Sequence, residues 1–120
     1  MDKLREAIRD YYVSEFEMEW NDAEHDVQGD VCGLAATDVY DADGDVHNLE
    51  VDINIPDLTL IYCDGFDGVS KDGNYKPHEI AREKCTLEGL VDRLGGYYFK
   101  DWISDCKGAV SEAYGTTWER

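Results

Sequence analysis

Between Val46 and Ile55 apolar and polar residues alternate, strictly so from Asn48 onward, and this is the feature that most constrains the fold. Its apolar members are Leu49, Val51, Ile53 and Ile55, and its polar members are Asn48, Glu50, Asp52 and Asn54. Because successive side chains of a strand point to opposite faces, the pattern predicts a β-strand with one buried and one solvated face. A sheet that contains such a strand needs a second layer over its apolar face.

Two further segments are typical of strands that flank this one. Residues 31–40 are mostly β-compatible, and the run LTLIYC at residues 58–63 is densely apolar. The dipeptide Asp43-Gly44 predicts a tight hairpin turn because glycine accepts a positive φ, and Pro56-Asp57 predicts a second turn. Three strands joined by short connections predict an antiparallel β-meander.

Helical periodicity precedes and follows these strands. Apolar residues recur at every fourth position near the N-terminus, which predicts the apolar face of an amphipathic helix over about residues 2–15. These residues are Leu4, Ile8, Tyr12, Phe16 and Trp20. A second helix is predicted from Thr86, as N-cap, to the stop signal Gly95-Gly96, and a third continues from Phe99 to Val110 or beyond.

The remaining segments, 21–30 and 64–77, are rich in polar and turn-forming residues and are predicted to be loops. The order of elements predicts an α+β fold with an N-terminal helix, a three-stranded antiparallel β-meander and two C-terminal helices packed on one sheet face. A chain of 120 residues is predicted to form a single domain, residues 1–120.

The distribution of charge limits the kinds of ligand and partner that the chain can bind. The chain has 28 acidic and 11 basic residues, which gives a net charge of −17. Between Asp10 and Ser70 there are 17 acidic residues and no lysine or arginine. Such a charge disfavours nucleic acid and anionic lipid as ligands and favours a strongly basic partner. No apolar run is long enough to cross a bilayer and the N-terminus is charged, so the sequence predicts a cytoplasmic protein.

No constellation of residues is typical of catalysis or of metal binding. The cysteines are widely separated, at Cys32, Cys63, Cys85 and Cys106, and the histidines are scattered, whereas zinc ligands are clustered by short spacings. The chain contains neither a nucleophile elbow nor a phosphate-binding P-loop. We therefore expect no enzymatic activity, no cofactor and no metal site.

An acidic segment, DVYDADGDVHNLEVD at residues 38–52, allows more than one interpretation. A calcium-binding loop would use Asp41, Asp43 and Asp45 as its first ligands. The glycine that such a loop needs directly after the third ligand is replaced by Val46, and the last ligand position falls inside the predicted strand. A calcium- or cation-binding protein is therefore the weaker alternative.

A hairpin turn explains Asp43-Gly44, but it does not explain why neighbouring strand positions are acidic as well. A solvated face kept for solubility is one explanation. Mimicry of nucleic acid is the other. Glu50 and Asp52 share a strand face at a separation of about 6.6 Å, which is comparable with that of neighbouring phosphates along a nucleic-acid strand.

The chain is distinguished by two acidic runs, EFEMEWNDAEHDVQGD and DVYDADGD, and by the stretch without basic residues between Arg9 and Lys71. In its small size and acidic charge it resembles the single-domain proteins that phages and mobile elements encode against host defences, such as anti-restriction DNA mimics and anti-CRISPR proteins. The resemblance implies a non-enzymatic inhibitor that binds the DNA- or PAM-binding surface of a CRISPR RNA-guided nuclease, or a restriction enzyme. An acidic accessory domain of a phage or mobile-element system is the remaining alternative.

The candidate partner-binding residues follow from this interpretation. The acidic candidates are Glu15, Glu17, Glu19, Asp22, Glu24, Asp26 and Asp30 in the first run, and Asp38, Asp41, Asp43, Asp45, Glu50 and Asp52 in the second. Phe66 and Tyr75, in the predicted 64–77 loop, are aromatic candidates because such anchors are typical of protein interfaces. We expect that reversing Asp41, Asp43 and Asp45 to lysine abolishes partner binding and leaves the fold intact.

Overall fold

The structure, a computed structural model, describes residues 2–118, which form a mixed α+β fold. The helices are α1 (Asp2–Glu15), α2 (Trp20–Asp26), α3 (Leu87–Gly96) and α4 (Phe99–Tyr114). The strands are β1 (Val31–Tyr40), β2 (Val46–Asn54), β3 (Thr59–Val69) and β4 (Tyr75–Lys84). None of these described helices has the length and apolar character that a membrane span requires.

The sheet has the predicted antiparallel meander and adds a fourth strand to it. Its strands follow the order β1-β2-β3-β4, so each strand pairs with its neighbour in the chain. The prediction of three strands with a loop at 64–77 is corrected, because β3 continues to Val69 and β4 pairs with it from Tyr75. Gly65 and Gly68 have positive φ and lie where the β3–β4 register shifts, a conformation that glycine adopts without strain.

The core lies between the sheet and α4, which contacts all four strands. Leu49, Val51 and Ile53 of β2 are at most 1% exposed, as the alternation predicts. Trp102 of α4 is the largest fully buried side chain, and Val110 is buried on the same face about two helical turns further along the helix. Burial of these apolar side chains is the main force that holds the helix layer on the sheet.

Three of the described helices match the sequence predictions. α1 covers the predicted residues 2–15. α3 follows Thr86, whose hydroxyl accepts a hydrogen bond from the Gly89 N–H, and it ends at Gly96. α4 continues past the predicted stripe to Tyr114. The capping and periodicity signals therefore place these helices correctly.

Helix α2 contradicts the loop predicted for residues 21–30. Its sequence, WNDAEHD, buries a single residue, Ala23, so it has no apolar stripe that a periodicity argument could detect. The helix forms where the chain packs back against α1.

Two tyrosines attach α1 to the sheet. The Tyr11 hydroxyl donates a hydrogen bond to the Leu34 carbonyl at 2.7 Å, and the Tyr12 hydroxyl donates one to the Gly33 carbonyl at 2.6 Å. β1 is an edge strand, and its register shifts between Gly33 and Ala35. The tyrosines satisfy backbone oxygens at this irregular edge, which fixes the end of α1 near the start of β1.

Candidate functional site

The acidic candidates of the first run and the turn residues of the second flank opposite ends of β1, whereas Asp38, Glu50 and Asp52 lie on β1 and β2. Residues 15–30 precede the strand, whereas residues 41–45 form the turn that follows it. A strand that leads from Asp30 to Asp41 is roughly 35 Å long at the usual rise per residue. The longest dimension of the molecule is 41 Å. The structure therefore places residues 15–30 and the turn at opposite ends of β1, while Asp52 of β2 pairs with Gly33 near the first group.

Five carboxylates of the first group form what we call the acidic end. They are Glu17, Glu19, Asp22, Asp26 and Asp30. All five residues are exposed, and none of their side chains has a hydrogen-bond or ion-pair partner within residues 2–118. Carboxylates in this state are available to form charge-assisted hydrogen bonds with the lysines and arginines of a partner.

Glu15 and Glu24, which belong to the same predicted group, make contacts within the fold. Oε1 of Glu15 accepts a hydrogen bond from the Phe99 N–H at the start of α4, at 2.8 Å. It thereby satisfies one of the backbone donors that a helix N-terminus leaves open. Oε2 of Glu24 lies 3.1 Å from Nη1 of Arg9 and joins α2 to α1. The Glu24 charge is paired with Arg9, and the Glu15 carboxylate is occupied by a backbone N–H, so both carboxylates are engaged within the fold.

The arginines of α1 are also engaged in the fold. Arg9 is paired with two neighbouring carboxylates, and its guanidinium group lies 4.8 Å from the centre of the Trp20 ring. Arg5 donates to two backbone oxygens of the segment that leads into β1. Neither arginine pairs with a carboxylate of the acidic end within the described residues.

Exposed apolar side chains that the sequence pattern does not reveal accompany the acidic end. The four-residue spacing assigns Phe16 and Trp20 to the apolar face of the first helix, but α1 ends at Glu15. As a result Phe16 is 40% exposed and Trp20 is 52% exposed. Val31, the first residue of β1, is also 52% exposed. Phe16 and Val31 line a groove of about 590 Å³ beside β1. The alternation in EFEMEW, which is typical of a strand, agrees with the predicted end of the helix at about residue 15 and is the signal that Phe16 and Trp20 lie outside it.

In the second group, Asp41 is part of the hairpin itself. Its Oδ1 accepts hydrogen bonds from the N–H groups of Asp43 and Asp45, both at 2.9 Å, and its Oδ2 lies 2.8 Å from Nε2 of His47. The His47 contact is the main cause that lowers the pKa of Asp41, and the two N–H donors add to it. Only 10% of the Asp41 side chain is exposed.

The predicted turn is confirmed, with Gly44 at φ 88° between the two strands. Asp43 and Asp45 remain exposed, and their carboxylates have no partner within residues 2–118. Both oxygens of Asp41 already serve the turn and His47, which disfavours the calcium-loop alternative. No group of three or more His, Cys, Asp or Glu side chains within residues 2–118 is arranged to hold a metal ion.

The remaining acidic candidates lie on paired strands of the sheet. Asp38 accepts a hydrogen bond from Nδ2 of Asn48 at 2.6 Å. Burial raises the pKa of Asp52 to about 8, and the hydrogen bond and charge of Glu50 contribute to the rise. The raised pKa favours the neutral form of Asp52, which disfavours a regular row of phosphate-like charges on this part of the sheet.

Phe66 and Tyr75 lie on β3 and β4 and not in a loop. Their rings are 5.2 Å apart, and the residues are 51% and 68% exposed. They form an exposed aromatic pair on the β3–β4 hairpin, so the structure brings these two candidates together. Within residues 2–118, no hydrogen bond or ion pair joins this aromatic pair to the acidic end.

The cysteines are thiols without disulfide bonds. Burial raises the pKa of Cys63 to about 12 and that of Cys106 to about 11, and it also raises the pKa of Cys32 and Cys85. Because the thiolate is the nucleophilic form, these environments disfavour cysteine reactivity at neutral pH.

Comparison with known proteins found no matching family model, no similar curated protein and no similar solved structure.

Proposed function

We propose that the chain is a non-enzymatic inhibitor that binds the basic nucleic-acid-binding surface of a host-defence nuclease by DNA mimicry. The partner is a CRISPR RNA-guided nuclease, blocked at its DNA- or PAM-binding surface, or a restriction enzyme. The inhibitor acts in the cytoplasm of the host cell and binds neither nucleic acid nor membrane directly.

The acidic end carries this proposal. Its five carboxylates are exposed and have no partner within residues 2–118, and the chain contains no lysine or arginine between Asp10 and Ser70. A groove that binds phosphates offers several lysines and arginines at close spacing. Carboxylates placed in such a groove exchange mutual repulsion for charge-assisted hydrogen bonds, and they speed association through long-range attraction.

Trp20 supports the same surface with an apolar contact. Its ring is half exposed beside the acidic end, and Arg9 lies over it. Tryptophan is among the residues that most often dominate the binding energy of protein interfaces. An aromatic anchor that is close in sequence to Glu19 and Asp22 fits a partner surface in which apolar side chains lie between basic ones.

The proposal is tested with a variant in which all five carboxylates of the acidic end become amides. The substitutions are Glu17→Gln, Glu19→Gln, Asp22→Asn, Asp26→Asn and Asp30→Asn. DNA cleavage by a panel of RNA-guided nucleases and restriction enzymes is measured with and without each protein, and binding is measured by calorimetry at several salt concentrations. We expect inhibition by the native chain, and a loss of affinity of more than about tenfold together with a weaker salt dependence in the variant.

A matched control separates the acidic end from the overall charge. It changes five other exposed acids to amides, so that the net charge shifts equally. These are Glu6, Asp57, Glu88, Asp92 and Glu112, which have no side-chain partner within residues 2–118. The control should inhibit like the native chain. Equal losses in both variants, or no inhibition of any nuclease by the native chain, would contradict the proposal.

The contribution of the hairpin needs a different test from the triple charge reversal expected from the sequence. Asp41 holds the turn through two backbone N–H groups and His47, so its replacement by lysine would disturb the fold. Changing only Asp43 and Asp45 to asparagine removes the exposed charges and keeps the turn. Nuclease inhibition by this double variant then reports on the hairpin surface alone.

A further inference from the structure

His47 lies between two carboxylates that come from different parts of the fold. Its Nε2 is 2.8 Å from Oδ2 of Asp41 in the β1–β2 turn, and its Nδ1 is 2.6 Å from Oδ2 of Asp64 in β3. The three side chains are only 16%, 10% and 14% exposed. The cluster therefore joins the turn, the start of β2 and the middle of β3 at one point.

The geometry has a consequence for the protonation state of the ring. An ionised carboxylate only accepts hydrogen bonds, and a neutral imidazole has only one N–H group. A neutral His47 could therefore bond to Asp41 or to Asp64, and its other nitrogen would direct a lone pair at a carboxylate oxygen. Only the doubly protonated imidazolium satisfies both contacts.

The C-terminal segment is attached to the same cluster. The Trp118 ring lies edge-on to the His47 ring with centroids 4.8 Å apart, and the Thr117 carbonyl accepts a hydrogen bond from the Ala42 N–H at 2.7 Å. The Trp118 Nε1–H donates to the Lys107 carbonyl and to the Ser111 hydroxyl of α4. The turn and the C-terminal segment are thus held by one continuous set of contacts.

The charged groups around His47 favour its cationic form. Asp41 and the exposed Asp43 and Asp45 belong to the turn, and Asp64 belongs to β3. Lys107 of the facing helix α4, whose Nζ lies 5.7 Å from the Trp118 ring, is a nearby cation that opposes this effect.

We propose that His47 is a pH-sensitive clamp that holds the β1–β2 turn and the C-terminal segment in place when its ring is protonated and releases them when the ring loses a proton.

The direction of the pH dependence follows from the environment of the ring. Burial lowers the pKa of His47, but the hydrogen bonds and charges of Asp64 and Asp41 raise it by more, so the pKa lies above its ordinary value of 6.5. Stabilisation by a group whose pKa is raised in the folded state is fully present below the unfolded pKa and is lost as the pH rises through the folded pKa. The clamp is therefore closed near pH 6 and opens on the alkaline side. At strongly acidic pH it is also lost, because Asp41, whose pKa is lowered, becomes protonated.

Nuclear magnetic resonance of the whole chain alone tests this proposal between pH 5 and pH 10. The ring signals of His47 give its titration midpoint, and the amide signals of Ala42 and Asp45 and the indole N–H of Trp118 report on the turn and the C-terminal segment. We expect a midpoint above 6.5 for His47 and a change of the three reporter signals with the same midpoint. A midpoint at or below 6.5, or reporter signals that do not follow His47, would overturn it.

Two variants assign the transition to the clamp. His47→Gln should abolish the pH-dependent change of the reporters, whereas the control His25→Gln, on the exposed surface of α2, should leave it intact. If His47→Gln does not fold, Asp64→Asn gives the same information, because loss of one carboxylate should lower the midpoint of His47. An unchanged midpoint in Asp64→Asn, or an unchanged transition in folded His47→Gln, would contradict the clamp.

Discussion

Replacing Tyr11 or Tyr12 by phenylalanine tests how α1 is held against the edge of the sheet. Each substitution removes only a hydroxyl group and leaves the ring in the core. The Tyr11 hydroxyl donates to the Leu34 carbonyl and the Tyr12 hydroxyl to the Gly33 carbonyl, at 2.7 and 2.6 Å. The two acceptors differ in their surroundings, since Leu34 is 0% exposed and Gly33 is exposed.

This difference in burial sets different magnitudes for the two substitutions. Without the Tyr11 hydroxyl, the Leu34 carbonyl stays buried without a donor, which costs about 1–3 kcal/mol of unfolding free energy. Without the Tyr12 hydroxyl, water can reach the Gly33 carbonyl, so the loss is about 0.5–1.5 kcal/mol, the net value of an ordinary hydrogen bond. Because the two tyrosines are neighbours, the double variant is not expected to lose the simple sum.

Urea denaturation followed by circular dichroism measures both losses. With an m-value of about 2 kcal/mol per molar urea, a loss of 2 kcal/mol lowers the midpoint by roughly 1 M. Tyr40→Phe is the control, because Tyr40 lies on β1, the strand that carries both acceptor carbonyls, and is 68% exposed. A larger loss of stability in Tyr12→Phe than in Tyr11→Phe, or midpoints equal to that of the native chain in both variants, would refute the assigned roles of the two hydroxyl groups.

Two further predictions concern carboxylates. For Asp52 the pKa is about 8 in the folded protein against an ordinary 3.8, so its contribution to stability is present below about pH 4 and is lost as the pH rises through 8. Asp52→Asn should therefore match the native midpoint in urea near pH 4 and exceed it at pH 9. Glu15→Ala removes the acceptor of the Phe99 N–H and should cost about 1 kcal/mol, as loss of a helix cap does. Glu15→Gln keeps an acceptor oxygen and should cost less, and equal urea midpoints for the two Glu15 variants would contradict the capping role.

The elements that the sequence predicts are those whose pattern comes from a shared buried face. The apolar side chains of β2, α1 and α4 face one core. The sequence of each element therefore shows the period of its own structure, two residues for the strand and about 3.6 residues for the helices. β4 carries no such signal, because it is an edge strand whose residues are mostly exposed and charged. The ladder to β3, and not its own side chains, makes this segment a strand.

The sequence also does not predict which single residues of the candidate site are exposed. Composition and charge reveal the base-free stretch, but they do not distinguish Asp41 from Asp43, which stand two positions apart in one turn. Asp41 accepts three contacts within the fold and Asp43 is exposed, a difference that depends on the position of His47. Exposure of Trp20 likewise depends on where α1 ends, which its four-residue spacing does not show.

The distance between the acidic end and the turn limits how a single partner can contact both. At physiological ionic strength, charges farther apart than about 8 Å are largely screened, so groups separated by roughly 35 Å along β1 act independently. One turn of B-DNA is about 34–36 Å long, so a nuclease groove that holds a full turn of duplex could contact the acidic end together with Asp43 and Asp45. A groove that contacts only a few base pairs would reach either the acidic end or the turn, but not both. Additive losses of binding on neutralising the two groups separately would therefore indicate a groove of about one helical turn, whereas a loss confined to the acidic end would indicate a short contact there.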